Sequence, residues 1–258
     1  MNPFLQHLRV TAALMVRETS TRYGSKPGGY IWAFVEPVAH ILMMTLVFGA
    51  IARTPLLGKS FALFFATGYL PYMFYQSMQA FIAGAVKANK SLFNYPVVSP
   101  FDAVVSRYFV QAATSFVVAF LVFEILIFIE NLGLTIDYAG LIWACALATF
   151  LGLGIGTANA ALFAISPMYE QVFGLVMRPL YLISGVFFLP DSMPHPYSDF
   201  LLYNPVAHII MAFRRSVYPE YRASSLDEMY VCQFIAVCMV MGVAFFTFSA
   251  RSIRENKI

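Results

Sequence analysis

Long apolar runs, separated by short stretches that gather charge, proline and asparagine, divide the chain into six segments of membrane-spanning length. They cover approximately residues 31–52, 61–83, 108–129, 139–165, 172–189 and 229–250, each close to or above the roughly 20 apolar residues a helix needs to cross a bilayer. The fifth is the shortest and contains Arg178 and Pro179. The pattern predicts an all-α integral membrane protein with a 31–250 transmembrane domain, a 1–30 lead-in and a 251–258 tail.

Three pieces outside these spans also carry a pattern. Residues 3–22 place Phe4, Leu8, Ala12, Met15 and Thr19 on one helical face and Arg9 and Arg17 away from it. That is the arrangement of an amphipathic helix lying in the membrane interface, with an ordinary lead-in as the other reading. Segment 84–107, between spans two and three, contains Lys87, Lys90, Phe93, Asn94 and Tyr95, a polar turn suited to a docking surface or a linker. In segment 190–228, three prolines precede Asn204-Pro205, an N-cap residue followed by proline at the first helical position. Val206, Ile209, Ile210, Phe213 and Val217 then recur at helical spacing. Thirteen residues give about 20 Å of helix, too short to cross. The segment therefore reads as a re-entrant or interfacial hairpin ending where Arg214 and Arg215 reach water or headgroups; a plain loop is the alternative.

Charge sets the orientation. Lys and Arg number ten on the side of the N-terminus and five on the other, so the positive-inside rule puts both termini in the cytoplasm. The whole chain of 258 residues is 60% hydrophobic and only 11% charged, with a mean hydropathy of +0.73. The spans leave no room for a soluble domain of ordinary size, so nucleotide-driven chemistry has to reside elsewhere. A net charge of +3 with scattered cations does not suggest nucleic acid.

Several catalytic patterns fail on inspection. Arg53-Thr54-Pro55-Leu56-Leu57-Gly58-Lys59-Ser60 has arginine where a phosphate-binding loop needs its first glycine, and it joins two spans rather than a strand and a helix. Leu182-Ile183-Ser184-Gly185 lacks the first glycine of an intramembrane serine protease signature, and the sixth span has no histidine to serve as base. His7, His40, His195 and His208 share no metal-ligand spacing. Cys145, Cys232 and Cys238 all lie in apolar stretches, where they read as small core residues.

Polar groups inside spans are costly and therefore mark candidate sites. Glu36 and His40, four apart on the first span, either pair with each other or leave Glu36 reaching water at the interface. Arg178 lies about 9 Å into the fifth span by rise per residue. It cannot shed its charge, so it requires a wet cavity, an anionic substrate, or a carboxylate such as Glu36 or Glu124. On the second span, Phe65, Gly68, Tyr72, Tyr75, Gln76 and Gln79 fall near the face of Phe61, opposite Leu63, Ala66, Leu70 and Met73. Rings covering apolar sugar faces beside amides that bond hydroxyls suit a saccharide path, while helix packing with satisfied amides is the alternative. Gly152, Gly154 and Gly156 on span four read as a close helix contact.

Arg17-Glu18, Arg22-Tyr23-Gly24, Gly28-Gly29-Tyr30, Trp32-Ala33 and Glu36-Pro37 resemble the entry segment of type-2 ABC transporter permeases that export capsular polysaccharide. Leu92-Phe93-Asn94-Tyr95, Arg178-Pro179-Leu180-Tyr181 and Asn204-Pro205-Val206-x-His208 resemble further signatures of that family, in particular of the inner-membrane capsule export permeases of Gram-negative bacteria. The resemblance implies a six-span homodimer in the inner membrane that binds no cofactor itself. A separate ATPase would supply ATP and Mg, and periplasmic and outer-membrane export proteins would complete the machine. It further implies that a lipid-anchored acidic polymer leaves along the dimer interface; the candidate residues for lining its path are Phe65, Tyr72, Tyr75, Gln76, Gln79, Arg178 and Tyr181. The N-terminal helix and Lys87, Lys90, Phe93, Asn94 and Tyr95 would touch the ATPase, and the hairpin would help close the exit. Arg178 stands where relatives also carry lysine. Exporters of O-antigen or teichoic acid share the architecture, and a membrane-embedded enzyme or scaffold is the alternative of a different class.

Overall fold

The computed structural model describes residues 3–23, 28–95, 97–130 and 135–254. Gly24 of the entry motif, the side chain of Phe4 and residues 255–258 of the expected tail lie outside the described residues. Everything regular in the described part is helical: α1 (Pro3–Tyr23), α2 (Ile31–Ile51), α3 (Phe61–Ala83), α4 (Ala85–Asn89), α5 (Pro100–Glu130), α6 (Tyr138–Ile165), α7 (Pro167–Ile183), α8 (Tyr197–Leu202), α9 (Pro205–Val217) and α10 (Glu228–Arg254). Short 3-10 turns at Lys90–Asn94 and Pro190–Ser192 complete the chain.

The helix starts follow local chemistry. Side-chain oxygens of Ser60, Asp137, Ser166 and Asn204 accept from the backbone N–H groups of Leu63, Gly140, Tyr169 and Val206, capping α3, α6, α7 and α9. Pro167 and Pro205 occupy first-turn positions, where the missing N–H costs nothing. Apolar content then sorts the helices. α2, α5, α6 and Glu228–Ser249 of α10 are long and apolar enough to cross a membrane. α3 has the length but carries tyrosines, glutamines, Gly68 and Pro71, and α7 has 17 residues with Glu170, Gln171 and Arg178 among them.

Three boundaries differ from the sequence expectation, one being the end of α10, which runs to Arg254 and so takes in residues 251–254 of the expected tail. α5 begins at Pro100, so residues 100–107 of the expected coupling loop are helix, started by Asp102, whose carboxylate accepts from Ser99 N. The fifth segment is helical over Pro167–Ile183 rather than 172–189. Ser166-Pro167 sets its start, and Gly185, at φ +81°, follows closely on its end.

α3 is the central element, packed against α2, α5, α6 and α9, and α10 covers α6. One core joins Phe64, Leu70, Phe74, Leu151, Ile209 and Phe213; a second, at the end carrying α1 and α4, joins Met78, Ile82, Val86, Phe93, Ala103 and Phe246. The α6 glycines serve close packing, as their spacing suggests. A Cβ on Gly152 would lie 2.8 Å from Tyr75 O, and one on Gly156 2.9 Å from Gln79 O.

α1 is held by a cluster of polar contacts and by the buried apolar side chain of Leu14. Its exposed face presents Leu5, Leu8 and Val16, while Met15 and Thr19 border a second, apolar groove of about 660 Å³ against α2 and α5. Arg17, Glu18 and Arg22 turn inward instead. At the opposite end α9 is buried along almost its whole length, with Arg215 exposed and Arg214 fully buried. The expectation that both arginines reach water or headgroups therefore fails for Arg214, whose guanidinium is consumed by backbone carbonyls beyond α7. Arg215 does face outward and pairs with Glu228 at 2.5 Å.

Candidate substrate groove

α2, α3 and α7 enclose an open groove of about 1010 Å³ that runs from the α4 end toward the middle of the bundle. α2 contributes Glu36 and His40; α3 contributes Tyr69, Tyr72, Met73, Gln76, Ser77 and Gln79; α7 contributes Glu170, Gln171, Met177, Arg178 and Tyr181. At its inner limit His40 stacks on Tyr69 with ring centroids 4.1 Å apart, and Tyr72 lies 4.9 Å from Tyr181. His40 Nε2 and Tyr181 Oη form a hydrogen bond. His40 is thus partnered by the tyrosine of α7, not by Glu36 of its own helix.

Along the walls, Gln76, Gln79 and Arg178 reach the groove, and none of their side chains makes a hydrogen bond or ion pair with another described residue. That leaves two amides and one permanent cation available to a ligand, beside rings that offer apolar faces. Such a surface suits hydroxyl-rich or anionic molecules, since each amide both donates and accepts and a guanidinium presents five donors. At the α4 end Glu170, in the first turn of α7, accepts from Lys87 Nζ across the groove mouth.

Part of the sequence stripe on α3 faces the groove. Tyr72, Gln76 and Gln79 line the groove, but its face is turned so that Tyr69 and Met73 join it. Phe65, expected on the path, is only 2% exposed and sits among Phe48, Phe61, Phe64 and Phe187. Tyr75, also expected there, is buried with its hydroxyl 3.7 Å from Met177 Sδ. α3 is covered on nearly every side, so ring-and-glycine periodicity marks helix packing as well as the groove. Glu124 does not approach Arg178; it accepts from Tyr138 Oη at 3.2 Å. Tyr69 and Glu170 were missed. Tyr69 stands four residues before the same face's Met73, and only the relative rotation of α3 makes either visible.

The expected docking turn also separates into parts. Lys87, Lys90, Asn94 and Tyr95 are exposed, but Phe93 is buried in the second core and is an anchor of the turn rather than part of its outer surface. Beneath the turn runs a buried polar network. Glu18 pairs with Arg107 and accepts from Asn89 Nδ2 at 2.8 Å, and Arg17 Nη1 donates to Asn89 Oδ1. Arg107 Nη1 also donates to Phe81 O at 2.7 Å in the last turn of α3. Arg22 and Arg107 each lie over the Phe81 ring, 4.3 and 4.5 Å from its centroid. Gln111, which accepts from Arg22, passes the network on to Ser77 and Ser115.

Among the described residues, four helices long and apolar enough to cross a membrane, beside a polar, ring-lined groove, define a polytopic helical membrane protein. The chain belongs to the ABC-2 type transporter family, whose pattern it matches over residues 9–218. It is 30% identical over 236 residues to the polysialic acid transport protein KpsM of Escherichia coli, covering 91% of each chain. It is 27% identical over 240 residues to the capsule polysaccharide export inner-membrane protein CtrC of Neisseria meningitidis, covering 92% of this chain and 89% of CtrC. The capsule polysaccharide export inner-membrane protein BexB of Haemophilus influenzae is 26% identical over 212 residues, 82% of this chain and 80% of BexB. As a member of this family the chain is a transport permease subunit rather than an enzyme.

Proposed function

We propose that this chain is the permease of an ATP-driven exporter that moves lipid-anchored capsular polysaccharide across the bacterial inner membrane. The observation that carries this reading is the groove: Gln76, Gln79 and Arg178 stand without partners among rings, in a chain whose relatives are named for capsule and polysialic acid export. In this account α2, α3, α5, α6, α7 and α10 make six crossings. α3 and α7 cross despite their polar residues because those residues face the groove instead of lipid. α8 and α9 form the re-entrant hairpin, and both termini lie in the cytoplasm.

Two copies face each other across their grooves, so that the polymer is enclosed between Tyr72, Gln76, Gln79, Arg178 and Tyr181 of each. ATP and Mg act in a separate ATPase subunit that docks on the exposed Lys87, Lys90, Asn94 and Tyr95. Its movement reaches the groove through Lys87 and Glu170, and through Arg107 of α5, which bonds the last turn of α3. Periplasmic and outer-membrane partners receive the polymer. In a capsule-negative strain lacking its own permease, this chain with its ATPase is expected to restore surface polysaccharide. Polymer that stays inside despite normal assembly of the pair contradicts the reading.

A further inference from the structure

The groove stops at a layer of rings. On the side toward α8 and α9, Tyr181 meets Phe187 edge-on with centroids 5.1 Å apart. Phe187 lies against Phe48 of α2 at 5.8 Å and Phe65 of α3 at 6.3 Å, and Phe48 and Phe65 are 4.9 Å apart. Three phenyl rings from three segments thus fill the cross-section that continues the line of His40, Tyr69 and Tyr181. A hydroxylated polymer finds no hydrogen-bonding group in this layer and can pass only if the rings part. Phe48 and Phe65 are fixed on long helices. Phe187 sits instead on the irregular segment that follows α7.

That segment is held by a fully buried cation. Arg214 of α9 donates from Nη1 to Gly185 O at 2.7 Å and Phe188 O at 2.9 Å, and from Nη2 to Val186 O at 2.8 Å. Its guanidinium lies 4.5 Å from the centroid of the Phe64 ring. Among the described residues it has no ion-pair partner. A buried charge is expensive unless it is hydrogen-bonded, and here three carbonyls around Phe187 take up Nη1 and Nη2, while Nε has no partner among the described residues. α3 is shaped to admit the arrangement: a Cβ on Gly68 would lie 2.8 Å from Val186 O and 2.9 Å from Arg214 Nη2. Ser184 Oγ, accepting from Asn204 Nδ2 at 3.0 Å, ties the start of the segment to the cap of α9.

We infer that Phe187 is the ring that closes the groove toward the α8/α9 end, and that Arg214 is the positioning residue that holds it there. Arginine is required because a lysine ammonium cannot span three carbonyls in the fixed geometry of a guanidinium fork. The inference rests on the groove being the transport path.

The test uses the permease assembled with its ATPase in lipid vesicles, with leak of a small fluorescent dye read without ATP. Phe187→Ala is expected to raise the leak severalfold, and Phe187→Leu to keep most of the seal. Arg214→Lys is expected to leak as Phe187→Ala does, and the double variant no more than either, because the arginine acts through the ring. Only assemblies that retain the ATPase are compared. If Arg214→Lys does not assemble, Phe187→Ala, whose ring is only partly buried, still decides the role of the gate. Blocked export in Gln76→Trp with an unchanged leak in Phe187→Ala keeps the groove and overturns the gate. Leak that adds in the double variant overturns the positioning role, and normal export in Gln76→Trp overturns the groove itself.

Discussion

Arg107 on α5 and Glu18 on α1 meet at 3.0 Å with both side chains less than a tenth exposed, so the N-terminal helix is pinned to the bundle by a buried ion pair. Removing one member of such a pair strands the other charge and costs about 3–5 kcal/mol. Arg107→Met is expected to lower the melting temperature of the purified permease sharply. Arg107→Met combined with Glu18→Met should recover much of that loss. Equal melting temperatures for wild type and Arg107→Met would show that the pair carries no structural weight.

Lys87 and Glu170 are joined as well, but both side chains are substantially exposed. A pair of this kind contributes about 0–1 kcal/mol, so neutralising it should leave stability nearly unchanged. Its expected effect is on coupling: Lys87→Glu should reduce the ATPase-driven export rate, and Lys87→Glu with Glu170→Lys should restore it. Export per ATP hydrolysed is the measurement. Failure of the swap to rescue, with intact ATPase binding, contradicts the link.

Phe93 and Tyr95 stand two residues apart and are expected to behave differently. Phe93 is 5% exposed and Tyr95 63%. Phe93→Ala should destabilise the permease by about 3–5 kcal/mol, the range for a buried ring. Tyr95→Ala should stay within about 0.5 kcal/mol of wild type, as surface changes do, yet weaken association with the ATPase. Thermal unfolding and a pull-down with the ATPase subunit separate the two.

Arg178 is exposed to the groove with no described partner, so its charge serves something other than this chain's own packing. Arg178→Gln is expected to abolish surface capsule without affecting assembly, and Arg178→Lys to retain most of it. Identical export by the two variants would remove the charge from the account.

Much of this arrangement was legible in the sequence. Apolar run lengths gave the helices, Asn204-Pro205 gave the start of α9, and the polar residues of α3 and α7 were visible as candidates, although only the packing brings them to one groove. Where the structure places residues differently from their sequence pattern, the reasons are physical. Phe65 and Tyr75 share a sequence face with Tyr72, yet α3 is packed on nearly all sides, so periodicity could not tell a ring facing a groove from a ring facing a neighbour. Phe93 reads as a surface aromatic in a polar turn until Phe101 and Phe246 are seen to gather in the same core. Arg214 reads as a solvent-seeking end of a short helix because its partners are backbone carbonyls, which leave no trace in side-chain pattern.

The central claim is that the polymer travels through the α2–α3–α7 groove. A photo-reactive amino acid placed at Gln76, and separately at Phe120 on an exposed face of α5, can be activated while the reconstituted exporter is working. The account predicts ATP-dependent capture of polysaccharide at Gln76 and none at Phe120. Capture at Phe120 with none at Gln76 would place the path elsewhere and contradict it.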